Sequence, residues 1–231
     1  MSDESQIPQH IGFIVDGNRR WAKEKGLSAY EGHLAGYKSL KEVALATLAA
    51  GVPYASAYVF STENWKRSEE EVSKLMTPIV RAFKADLHVF IDNNIRLKII
   101  GSREKLSDRV NKILDESERR TSSMTGGTFV VCLNYGGQAE IADACKKIVQ
   151  AGTSVDDITP ELIAEHLYAP EIPPIDLVVR TSGEQRRSNF MLWRAAYSEF
   201  LFLDKFWSDM TKHDVASILE EYSRRSRRFG G

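Results

Sequence analysis

Four short polar stretches carry the residue types that could do chemistry. They are Asp16-Gly17-Asn18-Arg19-Arg20-Trp21, Ser61-Thr62-Glu63-Asn64-Trp65-Lys66-Arg67, Asn134-Tyr135-Gly136-Gly137 and a longer run from Arg180 to Asn189 that includes Ser182, Glu184, Arg186, Arg187 and Ser188. Together they bring three carboxylates, Asp16, Glu63 and Glu184, beside Arg20, Arg67, Arg180, Arg186 and Arg187. Arginine forks match phosphate oxygens, and glycine or serine beside them lets backbone N–H groups approach the same oxygens. A lone carboxylate with phosphate oxygens is also a common way to hold a magnesium ion. The pattern therefore points to a phosphorylated ligand with a divalent cation. Any one cluster reads equally well as a set of solvated ion pairs; four of them on one edge of a fold favour the ligand.

The edge is predicted by what precedes each cluster. HIGFIVD (10–16), YASAYVFS (54–61), IRLKIIG (95–101), TFVVCLNYG (128–136), DLVVRTS (176–182) and EFLFL (199–203) read as six strands, most of them continuous apolar runs, as in a parallel sheet covered on both faces. Helical periodicity separates them. One helix runs from about Gly32 to Ala50, with Gly51 as its C-cap. A second is predicted from Glu69 to about Asp92, with Ser68 as N-cap, Glu71 three residues on, an apolar stripe through Leu75, Ile79, Phe83 and Phe90, and a kink at Pro78. Three more follow: one carrying Leu106, Val110 and Leu114 on one face, one ending near Gln150, and a short one capped by Thr159-Pro160. A last helix is capped by Thr211 with Asp214. No repeat or long linker divides the chain, so residues 1–231 are expected to form a single α/β domain with an open, mostly parallel six-stranded sheet and helices on both faces. Ligands of such sheets bind beyond the carboxyl ends of the strands, where the polar stretches fall.

Composition narrows the function further. In 231 residues, 31 Lys and Arg against 32 Asp and Glu leave a net charge of −1, so no global field advertises nucleic acid as a partner. Cys132 and Cys145 have no CxxC spacing and the chain opens without a signal-like apolar core, so a reduced cytoplasmic setting is expected. No apolar run approaches the length of a spanning helix. GxxxxGK[ST], GxSxG and a strand-following GxGxxG are all absent, and the five histidines show no zinc-type pairing.

The sequence resembles the undecaprenyl diphosphate synthase family of cis-prenyltransferases. HIGFIVDGNRRWA, GHLAG, FSTENWKR, LNYGG, RTSGEQRRSNFMLW, AAYSEF and the terminal RRFGG match that family's motifs in order, over essentially the whole chain. The resemblance implies a homodimer that requires Mg²⁺ and has a hydrophobic tunnel between helices and sheet. It also implies condensation of isopentenyl diphosphate onto an allylic diphosphate, such as farnesyl or geranyl diphosphate, with new double bonds of Z geometry. The lipid product implies peripheral membrane contact.

Carried over residue by residue, the resemblance makes Asp16 the essential aspartate that handles Mg²⁺ and the departing diphosphate. Gly17, Asn18, Arg19, Arg20, Trp21 and His33 match the allylic diphosphate cradle, although Trp21 on its own reads as a packing residue. Arg180, Arg186 and Ser188 match the isopentenyl diphosphate site, and Glu199 matches a glutamate that contributes to metal binding. Ser61, Glu63, Asn64, Trp65 and Arg67 match a loop that closes over substrate. The family assigns the proton-acceptor role to the position of Asn64; an amide is a feeble base, and a diphosphate oxygen is a chemical alternative. Residues 1–9 are expected to be flexible, and 224–231, with Arg228 and Gly230, to form a tail that reaches the partner's active site. Ala29 departs from the pattern, standing where many relatives carry an arginine before the GH motif. Asn18 also bears on a rival reading, a phosphohydrolase with Asp16 as nucleophile, because it stands where such a site would want a second acid.

Overall fold

A computed structural model describes residues 7–225. Six strands, β1 (His10–Ile14), β2 (Tyr54–Ser61), β3 (Arg96–Ile100), β4 (Thr128–Tyr135), β5 (Leu177–Arg180) and β6 (Glu199–Phe202), form one sheet in the order β3-β4-β2-β1-β5-β6. Every neighbouring pair is parallel, so the sheet is wholly rather than mostly so. Each strand of β1 and β5 is buried along its length, which explains why their sequences are continuous apolar runs.

The helices are α1 (Asn18–Glu24), α2 (Ala29–Ala49), α3 (Glu69–Ala85), α4 (Leu87–Asp92), α5 (Asp108–Thr121), α6 (Gly137–Gln150), α7 (Pro160–Glu165) and α8 (Lys212–Ser223). Two buried apolar layers flank the sheet: a large one around Val43, Leu48, Phe60, Leu114 and Trp207, and a smaller one around Tyr58, Tyr135, Ile175 and Phe190. The caps expected at Ser68, Thr159 and Thr211 form: Ser68 Oγ accepts from the Glu71 N–H (3.3 Å), Thr159 accepts from the Leu162 N–H at α7, and Thr211 and Asp214 make a capping box for α8. A further capping box, Ser28 with Glu31, starts α2 at Ala29, ahead of the expected Gly32.

The topology fixes the site. From β1 the chain winds toward β2, whereas β5 leads outward to β6, so the winding direction reverses between β1 and β5. The crevice beyond the carboxyl ends of these two strands is where an open α/β sheet accepts ligands. Ile14 and Arg180 are register partners, which sets Asp16 and Arg180 side by side at its mouth.

Three sequence expectations need correction. The long helix over 69–92 runs through Pro78 but is interrupted at Asp86, and continues as α4. Asp86 accepts hydrogen bonds from Tyr37 Oη (2.7 Å) and Lys41 Nζ (2.9 Å), both on α2, so a tertiary tether stops the helix. Flexibility over residues 1–9 does not extend to Pro8 and Gln9: Pro8 is buried, and the Gln9 N–H donates to Asp176 Oδ2 (2.7 Å). At the other end Arg224 and Arg225 are held on their own chain, Arg224 by Glu220 and Arg225 by Glu199 and the Phe200 carbonyl. Arg228 and Gly230 lie outside the described residues.

Candidate active site

A cleft of about 680 Å³ opens at the β1–β5 crevice. Its walls bring together Asp16, Gly17, Asn18 and Arg19 from the end of β1 and the start of α1, and His33 from the first turn of α2. Ser61, Glu63, Asn64 and Arg67 come from the end of β2 and the one-turn 3-10 segment after it, and Arg180, Arg186 and Ser188 from the β5 end and the following loop. Twelve residues picked from sequence thus share one cavity. Four arginines in its lining, Arg19, Arg67, Arg180 and Arg186, face two carboxylates, Asp16 and Glu63, so the cleft is locally positive on a chain of net charge −1.

Asp16 is the hub. Its Oδ1 accepts from the Gly17 N–H (2.8 Å), its Oδ2 from Arg180 Nη2 (2.8 Å), and Arg20 Nη2 stands 3.8 Å from Oδ1. Its backbone is clasped by Thr181, whose hydroxyl bonds both the Asp16 N–H and its carbonyl. Gly17 has φ 105°, and a Cβ there would stand 2.7 Å from the Phe206 ring, so only glycine makes this turn without strain. Arg180, 4% exposed, also donates to Ser188 Oγ (2.8 Å) and to the Arg186 carbonyl. Its Nε is buried with no hydrogen-bond acceptor among the described residues.

Ionisation in the cleft is shaped by burial. His33 has its pKa lowered to about 4, first by desolvation and then by Arg67 and Arg19, so it is neutral at pH 7. Burial opposes ionisation of Glu63, yet hydrogen bonds from Asn189, from its own backbone, and from Ser61 and Thr62 hold its carboxyl below the usual range.

Several residues take other places. Asn64 Oδ1 accepts from the Ser61 N–H (2.8 Å), which commits the amide oxygen to shaping its own loop. Trp65 is turned from the cleft, donating to Asn134 Oδ1 (2.6 Å) and packing edge-on against Phe60. Trp21 donates to Asp209 (2.6 Å) and does not line the cleft, and Arg20 reaches it through Ser182 and Glu184 at the rim. Glu199 is not brought to Asp16. It is the register partner of Leu177, level with Ile11, and five residues at strand rise put Ile11 roughly 16 Å from Asp16. A shared Asp16–Glu199 metal site therefore does not exist within one chain, because the parallel register sets the two at opposite edges. Among the described residues no three His, Cys, Asp or Glu side chains cluster as a metal site.

Sequence reasoning missed Asn189. Its Nδ2 donates to Glu63 Oε1 (2.9 Å), its Oδ1 accepts from the Gln138 N–H (2.9 Å) and its carbonyl from the Gly137 N–H (2.8 Å). One asparagine thus joins the β2 loop, the start of α6 and the Arg186–Ser188 loop. A Cβ on Gly136 would stand 2.9 Å from this amide, which is the reason for glycine there.

Behind the cleft lie two smaller apolar cavities that share lining residues with it and with each other. A neck of about 60 Å³ shares Val15, Asn18, His33, Val59 and Leu75 with the cleft. It shares Tyr37, Leu40, Val59 and Ile79 with a deeper cavity of about 40 Å³, closed by Phe83, Leu87, Phe90 and Phe129. Phe90 and Phe129 stack there with rings 5.8 Å apart. The inner face of α3 forms one side throughout. Gly32 and Gly36 let α2 approach the neck, since a Cβ on Gly32 would stand 2.3 Å from the Asn18 carbonyl oxygen and one on Gly36 2.4 Å from Asn18 Oδ1.

An arginine-lined cleft at the switch point of a parallel sheet, flanked by small apolar cavities under a helix, suits ligands with an anionic head and a hydrocarbon tail. Residues 14–230 match the prenyltransferase family described as "Putative undecaprenyl diphosphate synthase". An isoprenyl transferase from Thermotoga maritima is 42% identical over 98% of each chain. A trans,polycis-polyprenyl diphosphate synthase, (2Z,6E)-farnesyl diphosphate specific, from Thermobifida fusca is 46% identical over 97% of this chain and 81% of that one. In structure the chain resembles lavandulyl diphosphate synthase from Lavandula x intermedia, solved in complex with dimethylallyl diphosphate, with a TM-score of 0.93 and 30% identity over 97% of this chain and 99% of that one. The chain belongs to this family and is a cis-prenyltransferase.

Proposed function

We propose that the chain condenses isopentenyl diphosphate with an allylic diphosphate, farnesyl or geranyl diphosphate, and so extends a Z-polyprenyl diphosphate in a magnesium-dependent reaction. The observation that carries this reading is that the Asp16-centred, arginine-rich cleft adjoins a file of apolar cavities under α3, each sharing lining residues with the next. The allylic class agrees with the dimethylallyl diphosphate in the lavandulyl synthase complex and with the farnesyl specificity in the name of the Thermobifida relative.

Asn18 and His33 line both the cleft and the neck, with Gly17 and Arg19 in the cleft beside them, so these four hold the allylic diphosphate while its tail enters the neck. His33, neutral, serves there as a hydrogen-bonding group rather than a cation. Arg180, Arg186 and Ser188, which line the cleft together, hold isopentenyl diphosphate. Asp16 fits a magnesium ion as the carboxylate of a hard-cation set completed by diphosphate oxygens, since Mg²⁺ is commonly bound through one or two carboxylates and substrate phosphates. When bound, the ion neutralises charge developing on the leaving diphosphate. The arginines, already aimed at those oxygens, stabilise the same charge without reorganisation.

Ser61, Glu63 and Arg67 close the third wall, with Asn64 positioning that loop; the proton lost from the isopentenyl unit goes to a diphosphate oxygen. The apolar neck excludes water from the allylic cation and receives the growing chain, whose burial contributes about 0.8 kcal/mol per CH₂. A homodimer is part of the proposal, supported by edge strand β6, where Phe200 and Phe202 stack beside Tyr197, which is 80% exposed. Free cysteines at 132 and 145 suit a cytoplasmic setting, and no described helix is long and apolar enough to cross a membrane.

The test is incubation of purified protein with labelled isopentenyl diphosphate, farnesyl or geranyl diphosphate and Mg²⁺, with chromatographic sizing of extracted lipids. Metal-dependent incorporation into chains lengthened by five carbons per cycle is expected. Release of phosphate with no carbon–carbon bond formed would overturn the proposal.

A further inference from the structure

A second groove, about 630 Å³, lies between α3 and α5, away from the catalytic cleft. Its apolar lining comes from Met76, Val80 and Val110, and its rim from the exposed cations Arg81, Lys84 and Arg109. No carboxylate lines it. Among the described residues none of these three cations has an ion pair or a side-chain hydrogen bond, whereas most acids of the neighbouring turns are already engaged. Glu70 pairs with Lys74, Glu71 with Arg19, Asp86 with Lys41, and Asp115 with Arg103. Glu69 and Asp108 sit in the first turns of α3 and α5, where they complement the positive ends of the helices. The uncompensated charge at the groove is therefore positive.

Helix α3 relates this groove to the lipid path. Leu75, Ile79 and Phe83, four residues apart, line the apolar cavities, while Thr77, Arg81 and Lys84 lie on the other side of the same helix. One helix thickness, roughly 10 Å, separates the hydrocarbon channel from the basic groove. A product that spends any time in water loses the burial gained inside the protein, so a protein that makes such a chain gains by releasing it where lipid is already in contact. Cations around an apolar floor complement an anionic amphiphile, with phosphate headgroups on the rim and acyl chains against the methionine and valines.

We propose that the α3–α5 groove docks the protein on an anionic phospholipid surface, with Arg81, Lys84 and Arg109 contacting the headgroups. The purpose of the docking rests on the polyprenyl reading above; the docking itself does not. At about a fivefold gain per basic residue near an anionic surface, the three together contribute roughly 100-fold in partition.

The test is co-sedimentation of the full chain, without substrates, with vesicles of phosphatidylglycerol and phosphatidylcholine and with vesicles of phosphatidylcholine alone. The variant R81E/K84E/R109E is compared with K23E/K146E/K212E, which makes the same change in net charge at exposed sites elsewhere. Binding selective for the anionic vesicles, weakened by 0.5 M salt, cut about 100-fold in the groove variant and kept in the control variant is expected. Equal binding to both vesicles, or equal loss in both variants, overturns the docking site. Turnover in detergent is measured on the same samples and should be unchanged in the groove variant. An inactive wild-type protein that still binds anionic vesicles would sink the polyprenyl reading and leave the docking site standing.

Discussion

Replacing Asp16 separates catalysis from stability more sharply than any other change in the cleft. In the folded protein its carboxylate accepts from the Gly17 N–H and from Arg180, each at 2.8 Å. Alanine removes the acceptor from a buried arginine, and a hydrogen bond to a charged group contributes about 1.5–3 kcal/mol. Two features pull the cost to the lower end: the Asp16 side chain is 31% exposed, and Arg180 retains Ser188 and the Arg186 carbonyl. A loss of about 1–2 kcal/mol follows, equivalent to about 2–8 °C in Tm for a chain of this size. Asp16→Asn keeps an oxygen for Arg180 and should cost less than about 1 kcal/mol. Both variants lose the negative charge that the metal and the departing diphosphate require, and removal of one preorganised electrostatic group typically costs about 10²–10³ in rate. The expected outcome is thus two variants with different Tm values in circular dichroism melts and the same loss, about 10²–10³-fold, in incorporation of labelled isopentenyl diphosphate. An Asp16→Asn protein that kept more than about a tenth of wild-type kcat/KM would refute the assignment.

Three further outcomes follow from the geometry. His33 and His10 both have pKa values lowered to about 4, chiefly by burial, so the unfolded chain, titrating near 6.5, binds protons before the folded one does. Stability should be full above about pH 6.5 and fall as pH drops toward 4, by up to about 1.4 kcal/mol per pH unit for each histidine, with His33→Gln showing a shallower slope in denaturant melts over that window. Gly32→Ala pits about 1 kcal/mol of helix propensity against overpacking that typically costs about 1–3 kcal/mol, and because the obstructing atom is the Asn18 backbone carbonyl, the sum should come out destabilising; a rise in Tm would show that α1 and α2 are not packed as described. Phe83→Ala, on the half-buried inner face of α3, should shift chromatographic product profiles to longer chains at little cost in initial rate, and an unchanged profile would remove Phe83 from the lipid path.

What could be read from the chain and what could not divide along physical lines. The strands were legible because burial on both faces leaves continuous apolar runs, and Ser68, Thr159 and Thr211 mark helix starts because capping is local chemistry within three residues. Eleven of the twelve cleft residues were legible because they lie at or just after a strand end, and the carboxyl edge of a parallel sheet gathers strand ends; His33, on α2, came from the family resemblance alone. The stop at Asp86 was not, since it depends on Tyr37 and Lys41, more than forty residues away. The separation of Glu199 from Asp16 within one chain was not legible because motif matching carries no register: only the pairing of β5 with β6 shows that Glu199 begins a strand where Asp16 follows the end of one. Asn189 left no signal beyond its neighbourhood, an asparagine at φ 67° among Ser188 and Met191, themselves at positive φ, a backbone that only a folded loop makes visible.

The two halves of the working chamber differ in firmness. Asp16 and Arg180 extend from strands buried along their whole length, while α3, which walls the lipid side, has Pro78 as its single fully buried side chain among those described. Local opening begins where buried apolar contacts are few. Gentle warming should therefore loosen the ruler ahead of the reaction centre, so that uniformity of polymer size is the first property to degrade, in molecules whose bond-making chemistry still runs.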